Sequence, residues 1–518
     1  MLSTEDLFAR FGPAYRWWAT GTAMMSAIAV VLSATIVNVA IPDIMGAFGI
    51  DQSKAQWLST AFLAAMTASM LVTAWADRAF GQRATVVGSL GVFGAASILG
   101  GIAPDENVLI LARVLQGAAA GVIQPLAMTI VFQVFPPEKR GSAMGIFGIG
   151  VVLAPALGPY VGGLLMDSFN WRFVFYLGVP FALAGMVLGG FFLQTRQEEE
   201  ARPAFDWLGF GLLSAFLVVV LSTLSNGQKL GWGSDTIMLG GLGSVVLAAA
   251  FIGWELRYTK PLLDMRLFSN GAFSAAALVS FVLGAGLFGS TFLLPQFVQT
   301  LQGYTPTLAG LLLMPAGFAL VVVFPIAGRL SDRLSPGLLI GAGLAIFAWS
   351  SWLTAQVDLD TSFWALAWWT VLSRIGLGLV FPSLSAGSLS VLPRQLISQG
   401  SGAMNFTRQL GGAFGVNLLT VMLERRIAFH ADALASTQTP DNPTMASLVS
   451  HAAGLMGHMG LPAIQQVPAA LSYLGQVIYG QAATQAYRDG FLATAVVFTV
   501  ALVPTLLLER ARRKTHEE

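Results

Sequence analysis

Apolar runs of about twenty residues, broken by short polar gaps, recur along the whole chain. A helix rises 1.5 Å per residue, so about 20 apolar residues cross a hydrocarbon core about 30 Å thick. Fourteen segments reach that length: 17–41, 55–76, 84–103, 107–134, 143–166, 172–193, 207–226, 236–256, 272–295, 308–328, 337–356, 363–387, 401–423 and 489–508. The pattern predicts an all-α integral membrane protein of fourteen transmembrane helices. One gap is unlike the rest. Residues 424–488 are rich in Ala, Gln, Met, Gly and His, and a connection that long is expected to be functional or disordered.

The Lys and Arg residues give the helices a direction. If the N-terminus is cytoplasmic, eighteen fall on the cytoplasmic side, among them Arg78, Arg83, Lys139, Arg140, Arg196, Arg329, Arg333 and Arg394. Six (Lys54, Arg172, Lys229, Arg425, Arg426 and Arg488) fall outside. This is a strong positive-inside bias, with both termini in the cytoplasm and 424–488 as a long periplasmic loop. The run from Trp17 lacks a small-residue cleavage site and reads as a retained first span rather than a signal peptide.

Two stretches repeat. Asp77-Arg78 follows the second span, and Asp332-Arg333 follows the tenth. Leu111-Ala-Arg113 in span 4 is echoed by Leu372-Ser-Arg374 in span 12. Two parallel six-helix halves account for both echoes if spans 7 and 8 are an insertion. The expected organisation is an N-terminal half, 1–193, two inserted helices with linkers, 194–271, and a C-terminal half, 272–518.

Composition narrows the chemistry. The chain has 518 residues, 55% hydrophobic and 10% charged, with a mean hydropathy of +0.71; soluble domains carry about 25% charged residues. It has no cysteine, which excludes disulfides and thiolate metal sites. A net charge of +1 gives no basis for a nucleic-acid partner. His430, His451 and His458 lie in the long outer segment at spacings poor for a metal and read as solvated loop residues. Glu198–Glu200 reads as a solvated linker. There is no Walker sequence and no paired-carboxylate or Ser/His/Asp arrangement, so neither ATP drive nor an enzyme is indicated, and no cofactor is expected.

Candidate function rests on polar residues where lipid-compatible ones would be expected. Arg113 costs at least ~2.5–3.5 kcal/mol in mid-membrane on insertion scales. Gln116 and Gln124 share its helix face approximately, which favours a wet central cavity over an arginine reaching for the headgroups. Ser33, Thr35 and Asn38 lie at similar depth in span 1 and form a candidate cavity wall, and Arg374 is similarly placed in span 12. Arg408 reads as an anchor. Asp77, Arg78, Gly81 and Arg83, with Asp332 and Arg333, suggest a charge clamp that pairs with basic groups and a facing helix dipole in one conformation and releases them in another. In span 5, Pro155, Gly158, Pro159, Gly162 and Gly163 suggest a kinked, small-residue helix at a rocking interface or gate.

At these residues the chain resembles the major facilitator superfamily, in particular the fourteen-span drug:proton antiporter family, EmrB-like branch. The span 2–3 motif is matched by Asp77, Arg78, Gly81 and Arg83. The span 4 motif is matched by Arg113, Gln116, Gly117 and Gly121, and the antiporter motif by Pro155, Gly158, Pro159, Gly162 and Gly163. Two departures stand out: Thr73 where the family's first motif opens with Gly, and Ser33 where the family usually has the Asp implicated in proton coupling. The resemblance implies a major facilitator fold and proton-driven efflux of hydrophobic or amphipathic small molecules across the bacterial inner membrane. It also implies a periplasmic adaptor and an outer-membrane channel as partners, with 424–488 as the docking surface. A dedicated metabolite exporter or facilitator with weak or no proton coupling is the alternative, and Ser33 is its best support.

Overall fold

The computed structural model describes residues 4–196, 203–439, 441–506 and 509, which are helical apart from short connections. The first group of helices is α1 (Thr4–Phe11), α2 (Tyr15–Phe48), α3 (Gln52–Met70), α4 (Thr73–Gly101), α5 (Glu106–Val134), α6 (Arg140–Ser168), α7 (Phe173–Tyr176) and α8 (Gly178–Phe192). The inserted pair is α9 (Trp207–Leu230) and α10 (Asp235–Glu255). The second group is α11 (Gly271–Thr300), α12 (Pro306–Ser331), α13 (Pro336–Thr354), α14 (Phe363–Ser390), α15 (Ile397–Ala435), α16 (Pro443–His458) and α17 (Ala463–Val500). Each of the fourteen expected spans falls on a helix, span 6 being divided between α7 and α8. Eleven stretches among the described residues are long and apolar enough to cross a membrane. The other three expected spans coincide with α3, α6 and α15.

Many helices start where the sequence supplies an acceptor for their free backbone N–H groups. Asp51, Asp105, Asp206, Asn270, Thr305, Ser335 and Ser362 each accept from the first turn of the helix that follows. The segment 73–83 is a bent helix. Thr73–Phe80 is helical, and the chain bends at Gly81, where φ is 80°. A Cβ there would also stand 2.7 Å from the backbone N of Arg196, so Gly81 satisfies both a left-handed φ and a close approach. The Arg83 N–H donates to Gln194 O at 3.1 Å and ties the bend to the end of span 6.

The segment 424–488 is not an open loop. The helix α15 runs on to Ala435 over 39 residues, α16 occupies 443–458, and α17 begins at Ala463 and runs for 38. At 1.5 Å per residue α15 and α17 are each about 57 Å long, nearly twice the hydrocarbon core, so they project beyond it with α16 packed on α17. His430 is correspondingly not a solvated loop residue. Its Nε2 lies 2.7 Å from Asp489 Oδ2, beside the Arg426–Asp489 ion pair that joins α15 to α17.

The buried clusters define two ends. At the end bearing Asp77 and Asp332, helices of both halves share cores: Leu126, Met144 and Phe147 pack with Leu389 and Ile397, and Ala68 and Leu71 pack with Phe273, Phe324 and Met404. At the other end each half has a core of its own, built around Ile36, Leu58 and Phe175 in one and Leu293, Phe297 and Leu366 in the other. The inserted helix α9 lies along the seam. Its Val220 and Leu221 pack with Ala64 of α3 and with Ala413 and Phe414 of α15. The helix α10 leaves Leu239, Leu242, Val245 and Val246 exposed, an apolar face suited to hydrocarbon.

Candidate functional site

Small residues set the position of Arg113. The helices α3 and α5 run side by side in one register: Cβ atoms at Gly117 and Gly121 would lie 2.3 Å from Phe62 O and 2.1 Å from Met66 O. Glycine permits this approach. One turn earlier in the same register Arg113 meets Leu58, and its Nε donates to Leu58 O at 3.0 Å. Nη1 donates to Ser33 O at 3.2 Å, Ser33 Oγ at 3.1 Å and Gln116 Oε1 at 2.8 Å. Gln116 Nε2 donates in turn to Ser97 Oγ at 2.9 Å. The guanidinium lies 4.0 Å from the Phe62 ring centroid, within cation–π range.

Arg113 is fully buried and does not reach for the headgroups. All its hydrogen-bond acceptors are neutral, and Nη2 has none. Arg113, Gln116 and Ser33 lie together in space. Gln124 stands apart, eleven residues along α5 or about 16 Å, with its own Oε1 buried and unpartnered. Thr35 turns to Leu32 O on its own helix, and the side chain of Asn38 lies outside those described. Ser97 and the Phe62 ring were not legible as site residues: a lone serine among small residues and one phenylalanine among 35 carry no signal.

The echo at Arg374 has a structural counterpart. In the first half an arginine on α5 reaches a hydroxyl on α2. In the second, Arg374 on α14 donates through Nη2 to Thr291 Oγ1 on α11 at 2.9 Å, and its Nη1 has no partner. Arg408 is held within the protein as well: its Nη2 donates to Asn405 Oδ1 at 2.6 Å, and it lies 5.0 Å from the Phe381 ring centroid.

The two Asp-Arg motifs both lie at the seam between the halves. Asp332 reaches from the end of α12 to the start of α6. Its Oδ1 accepts from the Gly141 N–H at 2.7 Å, and its Oδ2 accepts from the Ser142 N–H at 3.0 Å and from the Ser142 hydroxyl. A carboxylate on free helix N-terminal N–H groups is favourable both as a hydrogen-bond acceptor and in the helix dipole. The helix backbones also touch, since a Cβ at Gly145 would lie 2.4 Å from Phe324 O. Asp77 approaches Ser398, the second residue of α15, but Ser398 Oγ closes no hydrogen bond. The adjoining stretch of α15 is joined to the first half by Ser401 Oγ, which donates to Pro125 O at 2.8 Å. Arg333 is exposed and lines a cavity of about 590 Å³ with Arg140, Asp332 and Ser335.

In α6 the small residues of the span 5 motif face α2. Cβ atoms at Gly158 and Gly162 would lie 2.7 Å from Thr35 Oγ1 and 2.7 Å from Ile36 Cγ1, whereas Gly163 faces open space. The side chains of Pro155 and Pro159 lie outside those described.

A profile of the Major Facilitator Superfamily matches residues 23–416. The chain belongs to that superfamily. It is 31% identical to the multidrug export protein EmrB of Escherichia coli strain K12 over 474 residues, covering 91% of each chain. It is 29% identical to the fatty acid resistance protein FarB of Neisseria gonorrhoeae over 498 residues, covering 95% of this chain and 96% of FarB. Among solved structures, the human organic anion transporter MFSD10 aligns with a TM-score of 0.61 at 12% identity, covering 93% of this chain and 99% of that one. A double-tryptophan mutant of XylE aligns with a TM-score of 0.59 at 12% identity, covering 96% and 99%. These two likenesses establish the fold. The chain is thus an EmrB-like major facilitator transporter with two six-helix halves and two inserted helices.

Proposed function

We propose that the protein exports hydrophobic or amphipathic small molecules from the cytoplasm across the bacterial inner membrane, driven by proton entry through alternating access. The observation that carries this reading is the unequal joining of the halves. Asp332 and the Gly145–Phe324 crossing hold them together at the basic end, while their cores separate at the other. With the basic end taken to face the cytoplasm, this is the conformer closed to the cytoplasm, and both termini lie on that side in this reading. EmrB and FarB, the first named a multidrug exporter and the second for fatty acid resistance, support a hydrophobic substrate class.

In this reading Arg113, Gln116, Ser33 and Arg374 border the transport path, and the Asp77 and Asp332 motifs are the clamp that opens when the halves rock. The glycines of α6 let it slide against α2. The helical projection formed by α15, α16 and α17 is the docking surface for a periplasmic adaptor, itself joined to an outer-membrane channel. Its length and its exposed Leu455, Met459 and Ile464 support that assignment.

The test is proton movement in everted vesicles. Adding a transported compound should collapse part of an imposed pH gradient. Transport with no proton movement for any compound overturns the coupling and leaves the second reading, a metabolite exporter or facilitator, which the neutral Ser33–Arg113 contact favours. Removing 436–462 should leave vesicle transport intact and abolish whole-cell resistance; loss of both rejects the docking assignment.

A further inference from the structure

The inserted hairpin holds two carboxyl groups that the cycle above does not use. Asp206 precedes α9 and caps it, its Oδ1 accepting from the Gly209 N–H at 2.8 Å. Trp254 Nε1, at the end of α10, donates to both Asp206 oxygens at 2.9 and 3.1 Å. Glu255, the last residue of α10, accepts through Oε2 from the Leu263 N–H at 3.0 Å. Its Oε1 is buried and has no hydrogen-bond partner among the described residues. That oxygen meets Asp206 over Gly209: a Cβ at Gly209 would stand 2.3 Å from Asp206 Oδ2 and 2.6 Å from Glu255 Oε1. Both residues are 2% exposed, so the two carboxyl groups sit side by side, away from bulk water.

Two carboxyl groups side by side in a buried site resist carrying two charges together, and a proton on one of them relieves the repulsion. The donors around the pair say which group carries it. Asp206 receives the Gly209 and Trp254 N–H groups, while Glu255 accepts one N–H through Oε2 and none through Oε1. The open oxygen of Glu255 is therefore the place for a proton. A cavity of about 230 Å³ reaches Asp206 and is also lined by Arg78 of α4 and Lys260 of the connection after α10. These are the charged groups that face the pair among the described residues lining the cavity. The sides that α9 turns to α3 and α15 are apolar.

The pair is also tied to the clamp. Trp75 lies two residues before Asp77 on the same short helical segment. Its Nε1 donates to Pro203 O at 3.0 Å, and its ring packs edge-on against Phe205 at 4.6 Å. The strand of chain that ends in Asp206 is thereby fastened to the segment carrying Asp77 and Arg78, and α9 bridges both halves.

We propose that Asp206 and Glu255 form a proton-binding site that couples proton release to movement at the seam. This rests on the proton-driven reading above. Release breaks the Glu255 O–H bond; the electron pair stays on the Glu255 carboxylate, and the proton passes by way of Asp206, which lines the cavity with Arg78 and Lys260, to solvent water. Infrared spectra of the full chain in lipid test the site directly. The wild type should show the carbonyl band of a protonated carboxylic acid at neutral pH, and Glu255→Gln should remove it; a band unchanged in the variant overturns the site.

Proteoliposomes test the coupling. In Glu255→Gln, transport driven by a pH gradient should fall at least about tenfold relative to substrate counterflow, and an unchanged ratio overturns the coupling. Asp206→Asn is the second route if Glu255→Gln does not reach the membrane. With the neighbouring charge gone, the acid band should titrate away at lower pH than in the wild type, and an unshifted band rejects a shared proton. If the wild type transports without moving protons, the exporter reading fails, and the infrared band still decides whether the pair holds a proton.

Discussion

The two halves repeat the same polar devices but secure them in opposite order. In the first half Arg113 is fully buried under four hydrogen bonds, while Asp77 only approaches its target helix. In the second half Arg374 has a single bond to an exposed threonine, while Asp332 is fully engaged on the start of α6. Both devices occur twice along the chain. Packing holds Arg113 and Asp332 by several hydrogen bonds each, and leaves Arg374 with one and Asp77 short of its target.

That contrast orders the expected effects of mutation. Arg113→Ala should be the most severe, since it strips donors from Leu58 O, Ser33 Oγ and Gln116 Oε1 in a dry site at about 1–3 kcal/mol per buried group. Transport should fall more than about 100-fold, and Arg113→Lys should not restore it, because a point ammonium cannot replace the guanidinium fork. If Arg113→Ala loses anionic compounds while keeping neutral ones, the arginine acts on substrate charge rather than as a fixed element.

Asp332→Asn comes next. Hydrogen bonds to a charged group contribute about 1.5–3 kcal/mol, so the closed basic end should loosen about tenfold or more. The chain has no cysteine, so a single Ser390→Cys at the cavity beside Asp332 reports opening through its maleimide labelling rate. Arg374→Ala should cost about 1 kcal/mol, or a few-fold in transport; a loss equal to that of Arg113→Ala would break the contrast between the halves. Asp77→Asn should have the smallest effect on closure, within about 1 kcal/mol. Labelling as fast as in Asp332→Asn would mean that the two clamps share the load equally.

The fourteen helices were legible because the period of hydrophobicity and the bilayer thickness leave few other solutions. Arg113, Gln116 and Ser33 were legible as a group because an ionisable side chain in an apolar run needs partners, and those three sit at one depth. Three features were not. The segment 424–488 is polar enough to read as a loop, yet its helices are held by contacts such as Arg426–Asp489 that are remote in sequence. Asp206 and Glu255 look like ordinary charges at helix ends until the hairpin folds them against each other over Gly209. The unequal engagement of the Asp77 and Asp332 motifs has no counterpart in their matching residues.

The chain's residue order settles what is local: where helices run, where polar groups interrupt them, and that the pattern occurs twice. Tertiary structure decides what depends on which helices touch. Among the described residues it gives Arg113 only neutral acceptors, engages Asp332 and leaves Asp77 short of its bond, and folds Asp206 and Glu255 together over Gly209. The physical reason is that helix formation in a membrane is satisfied within each segment, whereas charge, burial and hydrogen bonding at a site are properties of the neighbours that only packing supplies.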